Sequence, residues 1–123
     1  MIIGIGADII EIKRIEKAIN RTKSFVEKSF TKDEIVYFKA KGLKANVIAG
    51  NFAAKEAVSK ALGTGFRGFG LKDIEILRDE LGKPFVRLSS NLYEKLGTNE
   101  FTMHISISHS KENAIAYAVM EVV

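Results

Sequence analysis

The chain has 123 residues, 46% hydrophobic and 28% charged, which is typical of a water-soluble globular protein, and we expect residues 1–123 to form a single domain. It contains no cysteine, which excludes disulfides and thiolate metal sites and fits a reducing cytosol. The formal net charge is +4, and residues 11–44 hold ten Lys or Arg against five acids, a positive patch that would steer an anionic partner.

The first predicted element is an N-terminal strand. Residues 2–10 are apolar and largely β-branched, with two glycines, a pattern that predicts a strand buried on both faces. No basic segment precedes this run and Asp8 interrupts it, which argues against a signal peptide. No apolar stretch approaches the roughly 20 residues that span a bilayer. We therefore expect a cytoplasmic protein that does not insert into a membrane.

Helical patterns fill the rest of the first half of the chain. Thr31, with Glu34 three residues later, has the form of a capping box that begins a helix. Gly63 has the place of a residue that ends the longest, Ala-rich helix. The spacing of the apolar residues predicts helical segments at 11–22, 25–30, 32–41 and 44–62.

Strand patterns dominate the second half, after a glycine-rich loop at 63–70. Residues 102–108 alternate strictly, with Met103, Ile105 and Ile107 on one face. Because helices come early and strands late, we expect an α+β fold with a largely antiparallel sheet packed against a long helix. The predicted strands are 73–78, 85–89 (opened by Pro84), 102–108 and 114–121, with a short capped helix at 89–97.

Asp8 is a carboxylate inside an otherwise apolar strand. Such a group is costly to bury unless it is paired, hydrogen-bonded or bound to a metal. The alternative is that Asp8 stands at the strand end and caps the helix that begins near Glu11. Gly4 and Gly6 leave room beside this strand for another backbone or for a ligand.

Glu56 and Lys60 lie four residues apart on the longest predicted helix and therefore share a face. In one interpretation they form a solvated ion pair. In the other, an anionic ligand binds here, Glu56 holds a hard cation and Lys60 contacts a phosphate oxygen. Mg²⁺ is usually bound by one or two carboxylates together with water and substrate phosphates. Asp8 and Glu56 suit that ion if the fold brings them together.

Two further positions could meet a phosphate group. His109 ends an alternating strand beside Ser108, and Lys83 with Pro84 forms part of a Gly-Lys-Pro turn. The alternatives are an ordinary terminal histidine and a plain hairpin turn. The chain has no nucleophile elbow, Walker A sequence or dinucleotide fingerprint.

Together, four segments resemble, in the same order, the motifs of the holo-acyl-carrier-protein synthase family, the short bacterial-type branch of the 4′-phosphopantetheinyl transferases. The segments are GIGADIIEIKRI at 4–15, FAAKEAVSKALGTG at 52–65, DIEILRDELGKP at 73–84 and HISISHSKENAIAYAVME at 104–121. The resemblance implies transfer of phosphopantetheine from coenzyme A to a serine of apo acyl carrier protein, with release of adenosine 3′,5′-bisphosphate, in support of fatty acid biosynthesis. It also implies the transferase fold and a homotrimer with active sites at the subunit interfaces.

The resemblance further implies roles for individual residues. Asp8 and Glu56 would bind Mg²⁺ and, with Lys60, form the catalytic group. Coenzyme A would be bound by Lys60, Lys83, Pro84, Ser108 and His109. The acidic carrier protein would dock on the basic first helix, at Arg14, Arg21, Lys23 and the apolar Phe25.

One position departs from the family pattern. Family members commonly have Arg just before the FAAKEA run, where this chain has Asn51. This predicts that a basic contact near the substrate is missing or is supplied by a neighbour such as Lys44.

The basic composition alone leaves two other classes of protein open. One is a small nucleic-acid-binding domain, whose recognition motifs are absent, and the other is a metal-free structural trimer.

Overall fold

The computed structural model describes residues 1–63 and 67–123. The glycine-rich loop predicted at 63–70 therefore falls partly outside the described residues. Within them, no helix is both long enough and apolar enough to cross a membrane. In chain order the elements are β1 (Ile2–Glu11), α1 (Ile12–Arg21), α2 (Phe25–Ser29), α3 (Lys32–Ala40), α4 (Ala45–Leu62), a 3₁₀ turn (Leu71–Asp73), β2 (Ile74–Arg78), β3 (Pro84–Leu88), α5 (Ser90–Leu96), β4 (Thr102–His109) and β5 (Asn113–Glu121).

The strands form two antiparallel units. One is a three-stranded sheet in the order β1-β5-β4, and the other is the β2-β3 hairpin. In the larger sheet Asp8 pairs with Ala116, which pairs in turn with Ile107 of the far strand. The predicted α+β fold with antiparallel pairing is confirmed.

Helix α4 lies directly on the β1-β5-β4 sheet because the contact surface is made of very small residues. A Cβ atom added to Gly6 would lie 2.0 Å from the Ala57 carbonyl oxygen, and one added to Gly4 would lie 2.0 Å from that of Ala61. The space left by these glycines is thus taken by the backbone of α4, the first of the two occupants that the sequence allowed. This close approach sets β1 and α4 side by side at the residues that carry the candidate site.

The opposite face of the sheet is exposed in this chain. Ile5 is 73% exposed, Ile9 65% and Tyr117 57%. The prediction that the first strand is buried on both faces is therefore wrong for the chain by itself. The reason is that α4 covers one side of the sheet, while the apolar side chains on the other side stay largely exposed among the described residues.

Helices α1, α2 and α3 gather around a second apolar cluster at the N-terminal half of α4, with Phe30 and Phe38 fully buried at its centre. The capping box predicted for α3 is present. The Glu34 amide donates to Thr31 Oγ1 at 3.3 Å, and the Thr31 amide donates to Glu34 Oε1 at 3.0 Å. At the far end of α4, Gly63 has a left-handed φ of 81°, as expected of a residue that ends a helix.

Candidate active site

Asp8 and Lys60 meet where β1 passes under α4. Lys60 Nζ donates to Asp8 Oδ1 at 3.3 Å and to the Ala7 carbonyl at 2.9 Å. The Asp8 side chain is 19% exposed and the Lys60 side chain 54%. The alternative that Asp8 caps α1 is wrong, because the strand runs on to Glu11 and no side chain caps that helix. The pair therefore joins a partly buried carboxylate to a cation that solvent can reach.

Glu56 lies one helical turn before Lys60 and is half-buried. The pKa of its carboxyl group is raised, chiefly by burial and then by the negative charge of Asp8, while Lys60 opposes the shift. The lysine makes its ion pair with Asp8 rather than with Glu56. The solvated Glu56–Lys60 pair suggested by spacing is thus replaced by a three-residue cluster in which two carboxylates repel each other.

This cluster suits a hard divalent cation. Two partly desolvated carboxylates lie close enough for the charge of one to perturb the other, and a cation between them would relieve that repulsion. In the part of the chain that the structure describes, no group of three or more His, Asp or Glu side chains could hold a metal. A pair of carboxylates completed by water and phosphate oxygens is the arrangement typical of Mg²⁺, so the residues present fit this ion.

Ser108 and His109 end β4 at another part of the sheet. His109 pairs with Ala114, which pairs with Ile10, so ideal strand spacing puts the Cα of His109 on the order of 12 Å from that of Asp8. Both Ser108 and His109 are exposed. His109 lines a surface cavity of about 580 Å³ next to the start of α4, together with Lys44 and Lys111. The histidine thus belongs to a basic cavity that is separate from the carboxylate cluster.

Lys83 and Pro84 lie at the β2-β3 hairpin. Asp79 Oδ1 accepts the backbone amides of Leu81 and Lys83, each at 2.9 Å, and Gly82 takes a left-handed φ of 85°. The turn is therefore fixed by its own hydrogen bonds, while the Lys83 side chain is exposed. Among the described residues, no hydrogen bond or ion pair joins this turn to Asp8, Glu56 or Lys60.

The predicted docking residues lie on and just after α1. Arg14, Arg21 and Lys23 are exposed. Phe25 is half-buried, and the centroid of its ring lies 6.3 Å from that of Phe30 and 6.1 Å from that of Phe52. The structure thus presents a basic helix face beside an aromatic cluster that is partly accessible.

Sequence reasoning missed a buried polar network beneath this surface. Lys55 is fully buried, and its Nζ lies 2.6 Å from Glu34 Oε1, itself fully buried. The same ammonium donates to the carbonyls of Ser29 at 3.1 Å and Leu71 at 2.9 Å. Burial lowers the pKa of Lys55, and the charge of Glu34 opposes the shift. This lysine therefore ties α2, α3 and the 3₁₀ turn to the helix that carries Glu56.

Asn51 belongs to the same network. It is fully buried, and its Nδ2 donates to Glu34 Oε2 at 3.3 Å and to the Ile76 carbonyl at 3.0 Å. Arg78 donates to Asn51 Oδ1 at 2.9 Å and has its guanidinium 4.8 Å from the centroid of the Tyr37 ring. The basic side chain next to Asn51 is thus Arg78. Lys44, the neighbour suggested from the sequence, lines the His109 cavity instead. The signal for this network was the four-residue spacing of Asn51 and Lys55, which puts two polar side chains on one face of an Ala-rich helix.

Known proteins resemble this chain over its whole length. Residues 4–118 match the 4′-phosphopantetheinyl transferase superfamily. A holo-acyl-carrier-protein synthase of Clostridium beijerinckii is 73% identical over 123 residues, covering 100% of both chains. The crystal structure of the Helicobacter pylori synthase in complex with coenzyme A has a TM-score of 0.84 and 38% identity, covering 95% of this chain and 99% of that one. The Bacillus anthracis synthase, in complex with CoA (3′,5′-ADP), has a TM-score of 0.83 and 44% identity, covering 100% and 99%.

Proposed function

The chain belongs to the holo-acyl-carrier-protein synthase family of the 4′-phosphopantetheinyl transferase superfamily, and from this premise we propose that it transfers phosphopantetheine from coenzyme A to a serine of apo acyl carrier protein, with Mg²⁺ as cofactor. Membership confirms the resemblance read from the four sequence segments and makes the chain an enzyme, a phosphopantetheinyl transferase. This assignment is preferred to the two other classes of protein that the composition left open, a nucleic-acid-binding domain and a metal-free structural trimer. The observation that carries the proposal is the cluster of Asp8, Glu56 and Lys60.

The reaction needs a centre that balances the negative charge of a pyrophosphate. Asp8 and Glu56 are the residues that would hold Mg²⁺ there. When bound, this ion would act as a Lewis acid that stabilises charge on the phosphate oxygens. The Lys60 side chain is 54% exposed, so its ammonium could exchange Asp8 for a phosphate oxygen of the substrate. The protein thus contributes mainly positioning and electrostatic stabilisation, the usual terms in phosphoryl transfer.

The bond changes follow from the products. The carrier's serine oxygen forms a new bond to the β-phosphorus of coenzyme A, and the bond from that phosphorus to the bridging oxygen breaks. Adenosine 3′,5′-bisphosphate leaves with the electron pair. The serine proton must go to a base, and Glu56 is our candidate, directly or through water, because its half-buried carboxylate belongs to the cluster with Asp8 and Lys60.

The remaining predicted residues would bind the two substrates. Lys83 and Pro84 would border the nucleotide, and His109 with Ser108 would meet the 3′-phosphate, a role that the neighbouring Lys44 and Lys111 support electrostatically. The acidic carrier protein would dock on Arg14, Arg21, Lys23 and Phe25.

Some of these substrate-binding residues would act from a neighbouring subunit. Within one chain, His109 lies away from the carboxylate cluster, as the strand pairing indicates. A homotrimer with its sites at the subunit interfaces would bring a second copy's His109 to that cluster. The exposed apolar face of the sheet, with Ile5, Ile9 and Tyr117, supports this assembly. A cytoplasmic location and a role in fatty acid biosynthesis complete the proposal.

The direct test is incubation of the protein with coenzyme A, Mg²⁺ and an apo acyl carrier protein. We expect the carrier to gain the mass of one phosphopantetheine group, with one equivalent of adenosine 3′,5′-bisphosphate released. A carrier whose acceptor serine is replaced by alanine is the control and should gain none. If the intact carrier shows no gain in mass while the enzyme is folded, the proposal is wrong.

A further inference from the structure

A second cavity lies among the helices, away from the carboxylate cluster. Its volume is about 680 Å³, within the range of roughly 300–1,000 Å³ that is typical of small-molecule pockets. It is formed by α1, α2, α3 and the start of α4, and none of Asp8, Glu56, Lys60 and His109 lines it. Of its lining residues, Lys23 alone has a place in the proposed transfer, as one of the residues that would dock the carrier protein.

The floor and one edge of this groove are apolar. Phe30 and Ile48, both buried, lie at its base. Val36 is 66% exposed and Leu43 52% exposed, although both are large apolar side chains. The groove thus offers a water-exposed apolar surface that a hydrocarbon chain would cover. The apolar lining comprises Ile19, Val26, Phe30, Ile35, Val36, Leu43 and Ile48.

Leu43 lies just after the C-terminus of α3, where its backbone takes a left-handed conformation. Leu43 has a φ of 54° and is the one non-glycine residue with positive φ in the described ranges 1–63 and 67–123. For a leucine the left-handed region costs on the order of 1–2 kcal/mol. The Leu43 amide donates to the Phe38 carbonyl at 2.8 Å, which ends α3 and leaves the exposed apolar side chain of Leu43 at the mouth of the cavity.

The rim of the groove is strongly cationic. Glu27 is the acidic side chain among its lining residues. In the part of the chain that the structure covers, none of the rim lysines has a carboxylate within ion-pair distance. Four positive charges against one negative charge favour an anion and oppose a second copy of the same surface. The rim lysines are Lys23, Lys32, Lys39 and Lys72.

We propose that this groove binds a single-chain anionic amphiphile, a fatty carboxylate whose hydrocarbon chain covers the apolar floor and whose carboxylate meets the rim lysines. An apolar cavity with a few charged groups at its edge is the usual form of a small-molecule site. The groove is separate from the carboxylate cluster and meets the proposed carrier-docking surface at Lys23, and binding there would make the protein responsive to long-chain acyl anions.

The probes are octanoate, decanoate and dodecanoate below their micelle-forming concentrations, titrated calorimetrically into the full-length protein. We expect one site per chain and a Kd that tightens about fourfold per added methylene, from ~0.8 kcal/mol per buried CH₂. Dodecyltrimethylammonium, with the same chain and the opposite charge, should bind far more weakly.

Variants locate the site. The double variant Lys39→Glu with Lys72→Glu should weaken dodecanoate binding about tenfold, the order expected for losing one charge-assisted contact. Val36→Glu should do the same by placing a like charge at the groove mouth. Lys95→Glu reverses a single lysine on exposed α5, outside the groove, and is the control for charge reversal by itself. Unchanged thermal midpoints would show that every variant folds.

Three outcomes would overturn the proposal. The first is no measurable dodecanoate binding by the wild-type protein. The second is equal binding of the cationic amphiphile, which would remove the role of the lysines. The third combines two results: the groove variants bind dodecanoate as well as Lys95→Glu does, and Ile5→Glu abolishes binding. Together these results would place the amphiphile on the exposed sheet face.

Discussion

Glu56 is held half-buried within the field of a second carboxylate. Burial and the charge of Asp8 both raise its pKa above the ordinary value of 4.5. The folded protein therefore binds the Glu56 proton more tightly than the unfolded chain does, so Glu56 favours folding below about pH 4.5. That contribution is lost as the pH rises through the raised folded-state pKa. A cation bound by Asp8 and Glu56 would stabilise the charged form of Glu56 and so oppose the rise in its pKa.

The first prediction concerns Glu56→Gln, which removes this titration. In the presence of a chelator, we expect the two proteins to have similar thermal midpoints near pH 4 and the variant to be the more stable near pH 7. Mg²⁺ should raise the midpoint of the wild-type protein at neutral pH and leave that of the variant almost unchanged. Scanning calorimetry between about pH 4 and 8 would measure both effects.

Glu94→Gln on exposed α5 is the matched control and should follow the wild-type profile. Parallel pH profiles for wild type and Glu56→Gln, with equal responses to Mg²⁺, would contradict the assignment of the two carboxylates as one cation site.

At the scale of the elements, the site depends on how closely α4 approaches β1. The second prediction is that Gly6→Ala disrupts this approach, because its Cβ would lie 2.0 Å from the Ala57 carbonyl oxygen. Overpacking of this kind typically costs about 1–3 kcal/mol. We expect a loss of unfolding free energy in that range, measured by urea denaturation, and a loss of transfer activity as Asp8 moves from Glu56.

Gly70→Ala is the control for Gly6→Ala. A Cβ at Gly70 would meet no atom within 4 Å, and its φ of −117° suits alanine. This variant should be as stable as the wild type. Equal stability of Gly6→Ala and Gly70→Ala would show that the close packing of α4 on β1 is not what holds the two elements together.

Helix α1 supplies the third prediction. Arg14→Glu and Arg21→Glu reverse exposed charges on the proposed docking face, so they should raise the KM for the acidic carrier protein and flatten its dependence on salt. The kcat and the KM for coenzyme A should stay close to wild type. Lys95→Glu controls for net charge. An unchanged KM for the carrier in both arginine variants would rule out this helix as the docking surface.

For the whole molecule, the exposed sheet face is the feature that the single chain leaves unexplained. The fourth prediction is that Ile5→Glu, at a position 73% exposed in the chain, disrupts the proposed homotrimer without unfolding the subunit. Sedimentation equilibrium should show trimers for wild type and monomers for the variant, with transfer activity lost together with assembly. Leu81→Glu, at a position 95% exposed in the β2-β3 turn, should remain trimeric. A trimeric Ile5→Glu would place the interface elsewhere.

Periodicity was enough to predict the order of helices and strands, because the spacing of apolar residues reflects burial directly. For β1 the prediction of burial on both faces was wrong. A strand with apolar residues on both faces has the same sequence pattern whether its second face is covered by this chain or by something outside it. The start of β2 was placed one residue early, at 73. A 3₁₀ turn takes Asp73, whose carboxylate accepts the Gly70 amide at 2.8 Å and the Ser89 hydroxyl at 2.6 Å.

The candidate site was predictable only as far as its residues form a motif. Asp8, Glu56 and Lys60 were reached through the order of the four segments, and the structure brings these three together. The Glu34–Lys55 pair could not be reached in that way, because its members are 21 residues apart and only the packing of α3 on α4 joins them. Burying two charged groups costs a large desolvation free energy, which only a close ion pair with further hydrogen bonds offsets. The tertiary fold has to supply that geometry.

The measurement that tests the central claim most directly is the transfer rate of Asp8→Asn and Glu56→Gln beside wild type. It uses coenzyme A, Mg²⁺ and apo carrier, and follows the intact mass of the carrier. If these carboxylates form the cation site, each variant should remain folded and lose at least about a hundredfold in rate, a barrier increase of about 2.7 kcal/mol. Wild-type rates in either variant, at saturating Mg²⁺ and with the variant shown to be folded, would contradict the account.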